Sequence, residues 1–170
     1  MKRKASGKFR ARINARGYEQ IDGIHYSSDN TAAPVTNDTT IKVVLVLVAM
    51  AGWTMHVVDV QGAFLIGRFG NEEELFMKVP QVFENKFNDD VVLKLNRTIY
   101  GLKQAASAFW SELLMALNKI GFTRSDADPC MYFKWSSNGL SLCLSWVDDC
   151  LFVGNETEVR KIIDGFKCYF

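Results

Sequence analysis

Three aspartates in this chain have the type and setting to do chemistry. "SWVDDCLFVG", residues 145–154, places Asp148 and Asp149 side by side between two apolar runs. "TMHVVDV", residues 54–60, carries Asp59 near the end of a short β-branched run. Each has an ordinary reading. Two residues between apolar runs form a hairpin turn, and Asp is a good turn residue. A lone Asp at a strand end caps a nearby backbone amide. Side by side in an antiparallel sheet, however, three carboxylates would repel one another, and cations would have to offset that cost. Magnesium suits such a set, because it accepts one or two carboxylates and completes its shell with phosphate and water. Paired ions of this kind serve phosphoryl transfer. A second acidic pair, Asp126 and Asp128 in "SDADP", follows a helix stop, precedes Pro129 and reads as a turn.

The elements that must position these acids are legible along the chain. "TMHVVDV" is short and β-branched, a strand. Before it, "NDTTIKVVLVLVAMAGW" offers a cap at Asn37 or Asp38 and a stop at Gly52, and its length favours helix over strand. "QAASAFWSELLMALNKIGF" sets Phe109, Leu113 and Leu117 in helical register, with Gly121 as the stop. "MYFKW", "LSLCLSWV" and "CLFVG" read as three strands, and a last amphipathic helix starts near Glu156 with Val159, Ile162, Ile163 and Phe166. The order from residue 54 predicts an α+β fold, an antiparallel sheet with helices on one face and Asp148 and Asp149 at the tip of its last hairpin. Residues 67–90 hold glycines and the acidic run "NEEE", read as a solvated turn. In "KFRARINAR", residues 8–16, Lys8, Arg10, Arg12, Asn14 and Arg16 alternate with Phe9, Ala11, Ile13 and Ala15. That alternation predicts a strand with one apolar and one cationic, anion-binding face.

Bulk composition narrows the class. At 170 residues, 48% hydrophobic and 23% charged, the chain suits one globular domain with a core, or one and a part. Its net charge of +1 says little about partners. The distribution says more: residues 1–18 carry Lys2, Arg3, Lys4, Lys8, Arg10, Arg12 and Arg16 and no acid, a local patch suited to phosphate. Cys130, Cys143, Cys150 and Cys168 show no CxxC spacing, which argues against a zinc site. No apolar segment follows the basic N-terminus as in a secretory signal, and the run Val43–Trp53 is too short to span a membrane. These features predict an intracellular, soluble protein with reduced thiols and no membrane partner.

A family resemblance is carried by "RARINARGYEQIDGIHY", "APV", "TTI", "GWTMHVVDVQGAFLIG", "LNRTIYGLKQA" and "WVDD", in this order and over roughly residues 7–164. Together they resemble the reverse transcriptase domain of Ty1/copia-type LTR retrotransposons. The resemblance implies an RNA-directed DNA polymerase of right-hand, palm-and-fingers fold, with residues 1–53 and 67–104 fingers-like and 54–66 and 105–170 palm-like. It implies two Mg²⁺ ions, replaceable by Mn²⁺, held by Asp59, Asp148, Asp149 and the Val60 carbonyl. Asp59 and Asp148 would bridge the ions, with Asp149 supporting them. Phe64 matches the bulky residue under the sugar that disfavours a 2′-hydroxyl. Gln104 matches a position near the incoming nucleotide, and Arg10 and Arg12 match the basic fingers segment that contacts the triphosphate. Trp146 stands near the primer end, where the family usually has Tyr.

Other departures are Ala106-Ser107 for the usual Pro-Arg after "LKQA", and Ala32 or Ala33 in "NTAAPV" where the family has an aromatic. Implied partners are a primed RNA or DNA template, deoxynucleoside triphosphates, and the thumb and RNase H portions of a Pol polyprotein, which the chain lacks. The implied setting is a cytoplasmic particle or the nucleus. Two other classes stay open. One is an inactive retrotransposon remnant that retains nucleic-acid binding. The other is a nucleotide cyclase with a palm-like sheet, against which the fingers segment and "YGLKQA" argue.

Overall fold

Caps written into the sequence set the helix boundaries. The computed structural model describes residues 2–3, 7, 9–70, 73–88 and 90–170, with the backbone alone at 2, 3, 9 and 10. Its strands are β1 (Lys2–Arg3), β2 (Phe9–Arg10), β3 (Thr54–Asp59), β4 (Leu75–Lys78), β5 (Val92–Leu95), β6 (Thr123–Arg124), β7 (Met131–Ser136), β8 (Gly139–Trp146) and β9 (Asp149–Gly154). Its helices are α1 (Asp38–Ala51), α2 (Ala105–Lys119) and α3 (Glu156–Lys167). The chain divides into two compact units, Met1–Ala32 with Phe64–Phe109 and Ala33–Ala63 with Trp110–Phe170.

The second unit is built on a five-stranded antiparallel sheet in the order β3-β9-β8-β7-β6. Helix α1 starts where the Asn37 side chain accepts from the Thr39 N–H at 2.8 Å, and it ends at Gly52 with φ of 62°. Its Ile41, Val44 and Val48 recur at helical spacing and pack on Leu142, Leu144 and Val153. On the opposite sheet face Phe152 meets Phe122 and Phe166 edge-on, with centroids 6.1 and 5.1 Å apart. Leu113, Leu117, Tyr132, Val159 and Ile162 are buried as well, each large side chain stabilising the fold by about 1.5–3 kcal/mol. The two helices that follow residue 54, α2 and α3, thus lie on one face, and α1, which precedes it, covers the other. β8 is buried from Ser141 to Ser145 without a break, because α1 covers the face of Leu142 and Leu144 and the Phe152 cluster lies on the other.

Asp128 also departs from expectation. The chain turns there, as "SDADP" predicts, but the side chain is buried at 2% exposure. Its carboxylate accepts from the Asn37 N–H and the Cys130 N–H, both at 2.9 Å, and so ties the turn to the start of α1. Burial pushes its pKa up, but hydrogen bonds from Thr40, Asn37 and Cys130 outweigh burial and leave it below the usual value.

In the first unit, β4 and β5 form a two-stranded antiparallel ribbon whose first strand begins directly after the acidic run. Glu74 pairs with Lys94 across this ribbon, while Asn71 and Glu72 of "NEEE" lie outside the described residues. The expected strand over residues 8–16 is reduced to Phe9–Arg10, paired with β1, and a single bridge from Asn14 to Tyr100. Ile13 is 50% exposed. The alternation lacks a core for its apolar face and a long partner strand for its backbone. Lys4, Lys8 and the side chains of Lys2, Arg3 and Arg10 lie outside the described residues.

Candidate active site

β-Strand register brings the acids together. β3 and β9 pair Met55 with Val153, Val57 with Leu151 and Asp59 with Asp149. β8 continues that last row with Trp146 opposite Asp149. Residues in one cross-strand row share a sheet face, here the face that α1 covers further along the strands. At this end Asp59 and Asp149 are exposed, and so is Trp146.

One further bond sharpens the geometry. The Val60 N–H donates to the Asp148 carbonyl at 2.9 Å. A bond of this kind flanks a non-hydrogen-bonded pair, the arrangement in which facing side chains are closer, with Cβ atoms roughly 5 Å apart. Asp59 and Asp149 occupy that pair. Two like charges directly opposite destabilise a sheet unless a cation offsets them. The donors are all oxygens, which suits a hard ion such as Mg²⁺. Among the described residues no group of three or more His, Cys, Asp or Glu could enclose a metal. The fit is therefore to an ion that takes one or two carboxylates and fills its shell from phosphate and water.

The hairpin tip is shifted by one residue from the expected place. With Trp146 paired to Asp149, the two-residue loop is Val147–Asp148, and Asp149 already belongs to the strand. Val147 adopts φ of 55°, the sole positive φ of a non-glycine among the described residues. Positive φ at the first loop residue and not the second is the type II′ pattern, which normally selects glycine. Val60 is buried, and its carbonyl accepts from the Ala63 N–H at 3.2 Å, which leaves one lone pair for another ligand.

The residues matched to nucleotide binding lie in the first unit. Arg12 places its guanidinium carbon 4.8 Å from the centroid of the Tyr100 ring. Phe64 meets the same ring edge-on at 5.5 Å and 74°. The Phe64 carbonyl accepts from the Thr98 hydroxyl at 2.8 Å. Gln104 is buried at 4% exposure, and its amide is in use. Its oxygen accepts from Gln20 at 3.1 Å, and its nitrogen donates to the His25 carbonyl at 3.1 Å. Gln20 in turn accepts from the Lys103 N–H at 2.8 Å. Gln104 thus anchors the 20–25 loop, with one amide proton left over. Tyr100 is the ring common to both contacts, and no local spacing in the sequence connects it to Arg12 or Phe64.

Comparison with known proteins supplies independent findings. Residues 1–170 match the family described as reverse transcriptase (RNA-dependent DNA polymerase). The chain is similar to the retrovirus-related Pol polyprotein from transposon RE2 of Arabidopsis thaliana, 35% identical over 91% of this chain and 10% of that protein. The counterpart from transposon TNT 1-94 of Nicotiana tabacum is 35% identical over 93% of this chain and 12% of that protein. That from transposon RE1 of Arabidopsis thaliana is 34% identical over 96% of this chain and 11% of that protein. The chain thus spans about a tenth of the length of these relatives. No solved structure matches it.

Proposed function

The chain belongs to the reverse transcriptase family, of the kind carried by Ty1/copia-type transposons, and we propose that it is the fingers and palm portion of an RNA-directed DNA polymerase. It adds deoxynucleotides to a primer 3′-hydroxyl on an RNA or DNA template. The observation that carries this reading is the placing of Asp59 directly opposite Asp149, with the Asp148 carbonyl bonded to the next amide. Asp59, Asp148, Asp149 and the Val60 carbonyl would hold two Mg²⁺ ions. When bound, such ions lower the pKa of the attacking hydroxyl and neutralise charge on the leaving pyrophosphate.

The chain's own side chains do the rest. Arg12, with Arg10, holds the triphosphate through charge-assisted hydrogen bonds. The Phe64 ring crowds a ribose 2′-hydroxyl and so favours deoxynucleotides. Gln104 keeps the 20–25 loop in place beside the incoming nucleotide, and Trp146 lies against the primer end. The thumb and RNase H portions of a Pol polyprotein are the partners such a fragment works with.

Primer extension on an RNA template with Mg²⁺ tests the reading. We expect Asp148→Asn to cut the rate by at least about 100-fold, on the scale of a lost electrostatic contact to the transition state. Extension that survives the substitution would refute the assigned mechanism. No extension by the unmutated chain, with salt-sensitive RNA binding retained, would favour the inactive remnant.

A further inference from the structure

The two residues assigned to opposite ends of the nucleotide converge on a third. Arg12 lies over the face of the Tyr100 ring, and Phe64 abuts its edge. Tyr100 is itself rigidly placed. Its carbonyl accepts from the Ala15 N–H at 2.7 Å, three residues along the chain from Arg12. Its neighbour Gly101 has φ of 90° and no room for a side chain, since a Cβ there would lie 2.2 Å from the Ala15 carbonyl oxygen. Gly17 approaches from the other side, where a Cβ would lie 2.0 Å from the Gly101 carbonyl oxygen. Two residues before Tyr100, the Thr98 hydroxyl holds the backbone of Phe64. One short segment, residues 98–101, therefore holds the backbone of both Ala15 and Phe64.

We infer that Tyr100 is a positioning residue that sets the Phe64 ring and the Arg12 guanidinium together, so that deoxyribose selection and triphosphate holding are coupled through one side chain. The inference rests on the polymerase reading above. The ring, and not the phenol oxygen, makes both contacts. A cation over an aromatic face and an edge-to-face ring pair both require the aromatic, and both are retained by phenylalanine.

The test is binding of dGTP and GTP to the full chain, with Mg²⁺ and an RNA template carrying a dideoxy-terminated primer. Tyr100→Phe should keep both affinities. Tyr100→Ala should weaken dGTP by about 3- to 10-fold and lower the dGTP/GTP preference by a similar factor. A folded Tyr100→Ala protein with unchanged affinity and preference overturns the inference. Weaker binding with the preference intact also overturns it, because that marks a merely structural role. If Phe64→Ala erases the preference while Tyr100→Ala does not, the polymerase reading stands and the coupling falls. If the unmutated chain binds neither nucleotide, both fall together.

Discussion

Val147 carries the least favourable backbone conformation on the acidic hairpin. A β-branched side chain at φ of 55° is held there against its own steric preference, at a cost on the order of 1–3 kcal/mol. The ladder bonds of β8 and β9 and the Val60–Asp148 bond hold the strained residue in place. Val147→Gly should relieve the strain and, after the entropy glycine loses on folding, stabilise the chain by about 1 kcal/mol. A urea unfolding midpoint that drops would show that the Val147 side chain makes contacts worth more than its strain. Sequence reading found both acids of this hairpin but set the tip one residue late. Asp is the better turn residue by local chemistry, and only the pairing of Trp146 with Asp149 moves the turn onto Val147.

Two carboxylates that meet helix starts have lowered pKa values. The His56 imidazole at 3.1 Å, then Thr54, and Arg160 one turn on, hold Glu156 at the start of α3 down to about 2. Asp128 at the start of α1 is lowered in the same direction. A carboxylate whose folded pKa lies below its unfolded value stabilises the fold above the unfolded pKa, and that stability is lost as pH falls through the folded one. For Glu156 the window runs from 4.5 down to about 2. The melting temperature should therefore fall across that window, and Glu156→Gln should flatten the fall. An identical acid profile in the variant would assign the loss to other groups. The sequence marks the start of α1 by a cap at Asn37 or Asp38, and the structure adds Asn155, which caps α3 in the same way, each side chain accepting from an N–H two residues on. The sequence could not announce which face of α1 is inward. The helix is apolar nearly all round, burying Val44 while Val43, Val46, Leu47 and Met50 stay exposed. Only the sheet it packs on makes the choice.

For the molecule as a whole, a net charge of +1 gives no general attraction to nucleic acid, so any affinity must come from where the charges sit. The basic residues of the N-terminal segment are the strongest local excess. Arg16 is already paired with Glu19 at 3.1 Å, which leaves Arg12 and its neighbours to meet phosphate. Binding to a primed template should weaken steeply with salt, and Lys4→Ala with Lys8→Ala should reduce the log–log slope by about 0.7–0.9 per lost contact. An unchanged slope would place the phosphate contacts elsewhere. Among the described residues no helix is long and apolar enough to cross a membrane.

By itself the sequence determined what short-range physics controls. The helix caps, the β8–β9 hairpin, the acidic pair at its end and the ordered motifs of the family all depend on residues a few positions apart. Tertiary structure alone decided the long-range pairings. Strand register put Asp149, and not Asp148, across from Asp59. The close approach of Gly17 and Gly101 belongs to the same segment that lets Tyr100 touch both Arg12 and Phe64. The reason is physical: local propensity is encoded within a turn or two of chain, whereas register and ring contacts are settled only when distant segments compete for the same buried surface.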